Sequence, residues 1–297
     1  AGHIAMKNPA PMLNLVFNTR RPAFSNIKTR QALIAAYDFN WTNTALFHGL
    51  YKRTHSFFQS SELAGDKLPS AAEIALLEPY RDELPAEIFK QAYRPPDSDG
   101  SGQDRKRLRE AKTLLKEAGW VLKGGKLTDA KTGAPLTLEI LVKSPEEIRL
   151  LSSYRKTLSR LGITVNLRQM DSAGYQKRIT DYDYDMMITL WDQSLSPGNE
   201  QDFYWSRAAA DTPGTRNYPG IRLKSVDHLI KRIKNAKSRT DLVTATRALD
   251  RVLMWGQFGV PLHHVHGQWL AHGNAIKLPR QPSFWGTSLD VWWQSPS

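Results

Sequence analysis

The sequence predicts an α/β fold in which βαβ units build a mixed sheet flanked by helices. Three observations carry this. Residues 136–142 alternate Leu136, Leu138, Ile140 and Val142, the period of a strand with a buried face. Residues 145–161 place Ile148, Leu151, Tyr154, Leu158 and Leu161 three or four apart, the period of a helix. Gly162 stops that helix and residues 163–167 begin another strand. A strand, a long helix and a strand so tightly joined imply parallel strands and a crossover.

The other elements follow in order. Residues 12–17 are an apolar run that reads as a strand, ended by Asn18-Thr19-Arg20-Arg21-Pro22. Ile27, Ala32, Ala35 and Ala36 predict a helix over 27–39, and residues 42–49 a shorter one. Residues 51–69 lack a period. Their Tyr51, Phe57 and Phe58, beside Gln59 and Ser60, read as an aromatic and polar loop and as weaker candidates for facing a ligand. Residues 94–102 (RPPDSDGSG) read as a mobile loop within one domain. Residues 104–118 form a helix with Leu108, Ala111, Leu114 and Leu115 on one face, closed by Gly119. Lys123-Gly124-Gly125-Lys126 is a hairpin turn between two short strands. After the βαβ unit come a helix over 172–180 and a strand over 184–191, with Asp181, Asp183 and Asp185 opening the strand. Helices over 226–236 and 240–258 follow. From Val260 onward the chain is apolar and aromatic, with Trp269, Phe284, Trp285, Trp292 and Trp293.

Composition excludes several function classes. The 297 residues carry 41 Lys and Arg against 29 Asp and Glu, a net +12. These cations are spread from Lys7 to Arg280, and the densest cluster (Arg105, Lys106, Arg107, Arg109) is mixed with Asp104 and Glu110. No zinc-finger, RNP or helix-turn-helix pattern accompanies them, so the charge reads as a solvated basic surface and no nucleic-acid partner is expected. Zero cysteine excludes disulfides, a thiol nucleophile, an iron–sulfur cluster and a cysteine zinc site. No apolar run approaches the roughly 18–20 residues of a membrane span.

No G-x-S-x-G, P-loop, H-E-x-x-H or dinucleotide fingerprint is present, so neither catalysis nor a cofactor is expected. Two alternative readings stand beside this, a basic nucleic-acid-binding protein resting on the net charge and a metal-dependent hydrolase whose nucleus is His263, His264 and His266, which form H-H-x-H. No carboxylate lies near them in sequence, and their apolar flanks read as a core strand. The Asp181-Asp183-Asp185 run fails as a calcium loop, because its sixth and twelfth positions are Met186 and Asp192. What stands out is residues 191–204 (WDQSLSPGNEQDFY). There a strand delivers an aromatic platform followed at once by polar groups on a turn, at the strand end where α/β sheets bind ligands. Asn217-Tyr218-Pro219-Gly220 repeats the Asn/aromatic pairing.

Taken together, residues 17–24 (FNTRRPAF), 27–33 (IKTRQAL), 37–39 (YDF), 111–120 (AKTLLKEAGW), 158–165 (LSRLGITV), 182–187 (YDYDMM), 193–201 (QSLSPGNEQ), 216–218 (RNY) and 248–253 (ALDRVL) resemble one family. It is the dipeptide/oligopeptide-type solute-binding proteins of ABC importers, and within it the YejA-type subgroup. The resemblance implies the C-terminal lobe of a bilobal periplasmic receptor that closes on a peptide or peptide-like compound and hands it to a permease in the inner membrane. It implies residues 1–17 as an incoming strand and hinge, with 1–6 a cloning remnant or a cut edge. Residues 18–260 would be the C-terminal ligand-binding lobe, and 261–297 a returning tail packed on an N-terminal lobe. Trp191 and Tyr175 would give apolar or stacking walls, and Asp192 would receive the peptide's amino terminus. Gln193, Ser194 and Asn199 would hydrogen-bond the peptide backbone, with Asn217 and Tyr218 at the cleft edge.

Overall fold

The computed structural model of the chain describes residues 2–279, 283 and 286–294. Strand β1 (Met12–Phe17) leads into helices α1 (Ile27–Ala35) and α2 (Phe39–Phe47). The Asp38 carboxylate accepts the Trp41 N–H at 2.9 Å, so the second helix starts at Phe39, where the first was expected to end. Helix α3 (Ala71–Leu77) was not expected from periodicity. Helix α4 (Arg105–Glu117) precedes a hairpin of two short strands, Trp120–Lys123 and Lys126–Asp129. Then come β2 (Thr137–Val142), α5 (Pro145–Arg160), β3 (Thr164–Gln169), α6 (Ser172–Thr180) and β4 (Met186–Trp191). Two short helices, α7 (Glu200–Trp205) and α8 (Arg207–Ala210), precede α9 (Lys224–Lys234), α10 (Arg239–Trp255) and β5 (Gly259–His263).

The five strands form one mixed sheet in the order β3-β2-β4-β1-β5. β2 runs parallel to both β3 and β4, whereas β1 is antiparallel to β4 and β5. The predicted βαβ unit is therefore present, and α6 returns the chain to the other side of β2. Alternation then sorts the side chains. Leu15, Phe17, Leu138, Ile140, Met186 and Ile188 share a core with α1, α4 and α5. Met12, Val16 and Trp191 point the other way, into a second core under α9 and α10. Leu141 and Met187 pack with Tyr175, Tyr182 and Tyr184 beside α6. Both faces of the central strands are covered, which explains their near-continuous apolar sequence.

Two expectations shift. The segment 181–185 does not open the strand. Asp181 ends α6, Asp183 pairs with Arg21 (2.8 Å), and the Asp185 carboxylate accepts the Glu139 N–H at 2.8 Å. The Pro/Gly-rich loop 94–102 is tied at both ends: Asp38 accepts from Ser98 Oγ (2.6 Å) and the Gly102 N–H (2.8 Å), and Arg53 donates to the Pro96 carbonyl (2.6 Å). The C-terminal stretch forms two small antiparallel pairs, Gln268–Leu270 against Gly2–Ile4 and Ile276–Lys277 against Trp293–Gln294. Phe284 and Trp285 lie outside the described residues.

Candidate ligand-binding site

The site grows from the β1–β4 pair. Met12 lies opposite Trp191 in the register, so the start of β1 and the end of β4 share one edge of the sheet. β2 and β3 also end there, at Val142 and Gln169. In open sheets with parallel strands, ligands collect at this edge.

Directly behind the edge sits an aromatic cluster. Trp191 is only 1% exposed, with ring centroids 4.3 Å from Trp205, 5.6 Å from Tyr218, 6.0 Å from Tyr204 and 6.1 Å from Phe57. Trp205 donates its indole N–H to Gln201 Oε1 at 3.0 Å, and Gln201 Nε2 donates to Gln193 Oε1 at 2.8 Å. Buried Gln193 is thus the end of an internal relay. Arg216 caps the cluster, its guanidinium 4.9 Å from the Tyr204 ring centre and 5.6 Å from that of Trp191, and donates to the Leu190 carbonyl at 3.1 Å.

The Asn18-Thr19-Arg20-Arg21 segment clamps this wall from behind. Asn18 Nδ2 donates to the carbonyls of Tyr182 and Tyr184, both at 2.9 Å. Arg20 stacks 3.8 Å over the Tyr182 ring and donates to the carbonyls of Ala210, Asn217 and Tyr218. Those bonds fix the loop that carries Asn217 and Tyr218.

The eight expected site residues divide into two groups. Asp192, Ser194 and Asn199 are exposed on the turn after β4, where Ser194 Oγ accepts the Ser196 N–H at 3.1 Å. Trp191, Gln193, Tyr175 and Asn217 are buried, and Tyr218 is half-buried. Asn217 has no polar capacity left. Its amide donates to the Ser206 and Ile221 carbonyls (2.8 and 3.0 Å), and its Oδ1 accepts the Gly220 and Ile221 N–H groups (3.0 and 2.8 Å). Tyr175 packs among Leu141 and Met187 with the Lys143 ammonium 5.3 Å from its ring centre, and burial pushes its phenol upward. Phe57 and Phe58 are buried in the second core, so the expected ligand-facing loop is a packing element. Periodicity missed Arg216 and Lys143, two cations at the edge. Their signal was a cation beside an aromatic in R-N-Y and a strand end at Lys143.

His263 and His264 are absorbed by packing, whereas His266 is half-buried with its ring 4.5 Å from that of His3. His263 lies 4.3 Å from the Tyr51 ring and 5.0 Å from Phe47, and His264 Nδ1 is 3.2 Å from Thr54 Oγ1. Burial lowers both imidazoles to about 4. A histidine depressed below its unfolded value near 6.5 stabilises the fold above that pH and withdraws the stability as pH falls towards 4, about 3 kcal/mol for a shift of this size. We expect the stability difference between wild type and His263→Leu, from urea unfolding, to move by about that amount between pH 7 and pH 4. A pH-independent difference would contradict the burial of a neutral ring. Titrating groups remote from His263 cancel in the comparison, whereas His264, held down in part by His263, contributes a small residual.

Comparison with known proteins agrees with this architecture. Residues 6–213 match the family model described as bacterial extracellular solute-binding proteins, family 5, middle. The probable peptide-binding protein YejA of Agrobacterium fabrum is 38% identical over 283 residues, 95% of this chain and 46% of that protein. The peptidoglycan-binding protein YepA of the same organism is 38% identical over 288 residues, 97% of this chain and 47% of that protein. The chain thus spans about half the length of the curated relatives it matches. The structure of the oligopeptide-binding protein AppA from Bacillus subtilis, in complex with a nonapeptide, superposes with a TM-score of 0.65 at 15% identity, covering 99% of this chain and 52% of that one. Among the described residues, no helix is long and apolar enough to cross a membrane. The aromatic wall at the β4 edge is thus carried on a fold shared with the AppA structure, and the chain belongs to the bacterial extracellular solute-binding proteins of family 5.

Proposed function

We propose that this chain forms one wall of a peptide-binding cleft in a longer, non-catalytic receptor of an ABC importer. The observation that carries the reading is the β4 edge. Exposed Asp192, Ser194 and Asn199 stand on a turn whose base is locked by Trp191, Gln193 and Gln201. Rigid support beneath a few convergent polar groups is what orients a ligand of varied side chains. Asp192 offers a carboxylate for a peptide amine, and Arg216 and Lys143 offer cations for carboxylates. Trp191, Gln193, Tyr175 and Asn217 hold this surface in shape, and Tyr218 reaches its border. Relatives named for peptide and peptidoglycan binding support a peptide or peptide-like ligand.

On this reading the receptor works in the periplasm and delivers its ligand to an inner-membrane permease. A second lobe, supplied by the rest of a longer chain, would close the cleft, with the stretch after β5 packed against it. Val265, Trp269, Leu289, Val291 and Trp293 are exposed apolar side chains in that stretch, as such packing requires. Neither a nucleic-acid-binding protein nor a hydrolase built on His263, His264 and His266 draws support from the geometry.

The test is calorimetry with a pool of short peptides, on this chain and on a receptor of the relatives' full length. Binding is expected to be at least tenfold tighter in the longer protein, because half of the desolvating wall is otherwise lacking. No binding by the longer protein would sink the reading.

A further inference from the structure

A second surface lies at the other end of the sheet. The hairpin Trp120–Lys123/Lys126–Asp129 is pinned against the end of α5, where the Leu127 N–H donates to the Gly162 carbonyl at 2.8 Å. Gly162 has φ +82°, and a Cβ there would sit 2.6 Å from Leu122 Cδ1, so glycine allows the two elements to touch. On one side of this contact is an apolar groove of about 290 Å³, walled by Leu115, Trp120, Leu122 and Leu161 and rimmed by Lys112 and Lys116. On the other is a basic groove of about 580 Å³ lined by Lys126, Arg155, Lys156 and Arg160. Leu122 is 62% exposed, and the tip beside it carries Lys123 and Lys126.

No acidic residue lines either groove. The nearest acids in sequence are engaged elsewhere: Glu117 pairs with Lys28 at 3.1 Å, and the Asp129 carboxylate accepts the Lys131 and Thr132 N–H groups. An exposed leucine ringed by cations with no counter-charge has the chemistry of an amphipathic surface made for an anionic bilayer. The aliphatic group enters the acyl boundary while the cations meet phosphates. The lysine and arginine stems would cover the rim.

We infer that this hairpin–α5 surface docks the protein on an anionic phospholipid membrane. Thr164 and Val165, which begin β3, line the basic groove, so the surface lies at the opposite end of the strands from Asp192. Docking there leaves the β4 edge open, and the inference does not rest on what that edge binds.

The test is co-sedimentation of the whole chain with vesicles of phosphatidylcholine alone, and of phosphatidylcholine with one-third phosphatidylglycerol, at low and raised salt. Binding is expected only to the anionic vesicles and is expected to weaken with salt. Lys126→Glu/Lys156→Glu/Arg160→Glu should lower partitioning by more than a hundredfold, since each change removes a cation worth about fivefold and adds an anion. Leu122→Ser, which leaves the charge intact, should lower it roughly tenfold. Lys231→Glu/Arg232→Glu/Lys237→Glu on and after α9 makes the same charge change elsewhere and should retain most of the binding. These side chains are exposed, and matched melting curves check that each variant folds.

No binding to anionic vesicles at low salt overturns the inference, as does equal binding to phosphatidylcholine. Equal loss in the α9 variant would reduce the effect to net charge. Full binding by Leu122→Ser would assign the groove to a purely ionic partner such as an acidic polymer, and would equally overturn it.

Discussion

Replacing Arg251 by alanine is expected to destabilise the fold by about 3–5 kcal/mol, measured by urea unfolding. Arg251, on α10, is 2% exposed, and its Nε lies 2.6 Å from Glu73 Oε2 on α3; Glu73 is equally buried. Nη2 also donates to the Lys67 carbonyl at 2.7 Å. Alanine would leave the buried Glu73 carboxylate without its cation and would remove one polar tie between the 67–73 segment and α10, the Gly65 N–H still donating to Asp250 at 2.8 Å. Two charges withdrawn from water are costly to begin with, so the pair does not have to be better than an apolar one. The double variant Glu73→Leu/Arg251→Met is therefore expected to recover most of the loss. Recovery should be incomplete, because Glu73 also belongs to the capping-box sequence that starts α3, its N–H donating to Ser70 Oγ at 3.2 Å and its Oε1 accepting from the same hydroxyl at 3.1 Å. A single variant within 1 kcal/mol of wild type, or a double variant no better than the single, would show that the ion pair does not organise this region.

That capping-box sequence marks the boundary of what the sequence discloses. Ser70-Ala71-Ala72-Glu73 is a start signal for α3, but the helix lacks a clear apolar stripe, so periodicity passes over it. The central βαβ unit was legible because its elements are regularly spaced and its helix α5 is ended by Gly162 at positive φ. The polar turn at 192–199 was legible as an edge, since a strand running into Asp-Gln-Ser has to leave the sheet there. Whether each side chain points out or in was not. Trp191 is buried because Trp205, Tyr218 and Phe57 arrive from distant parts of the chain, and Gln193 turns inward because Gln201 offers it a partner. Asn217 gave the same ambiguity, for an asparagine beside an aromatic suits a cleft edge and a closed turn equally. Only long-range packing decides between them.

The sharpest separation of wall from contact is between two neighbours, Trp191 and Asp192. Trp191→Ala removes the centre of the aromatic cluster and leaves a cavity ringed by Trp205, Tyr204, Tyr218 and Phe57. We expect a loss of about 3–5 kcal/mol in urea unfolding. Asp192→Asn changes an exposed side chain and should shift stability by less than about 0.5 kcal/mol. In ligand binding the ranking reverses in kind. If Asp192 receives a peptide amine in the full-length receptor, its neutralisation removes a charge-assisted hydrogen bond, about 1.5–3 kcal/mol, or roughly ten- to a hundredfold in affinity. Acetylating the peptide's amino terminus removes the same bond from the other side. In the wild type, the free-amine peptide should bind that much more tightly than its acetylated form. In Asp192→Asn the two affinities should converge, so that the coupling between the two changes equals the bond itself. Undiminished discrimination in Asp192→Asn would move the amine to another acceptor and leave Asp192 a surface residue. A Trp191→Ala variant of wild-type stability would show that the cluster can refill its own centre, and the rigid base on which the site has been built would be gone.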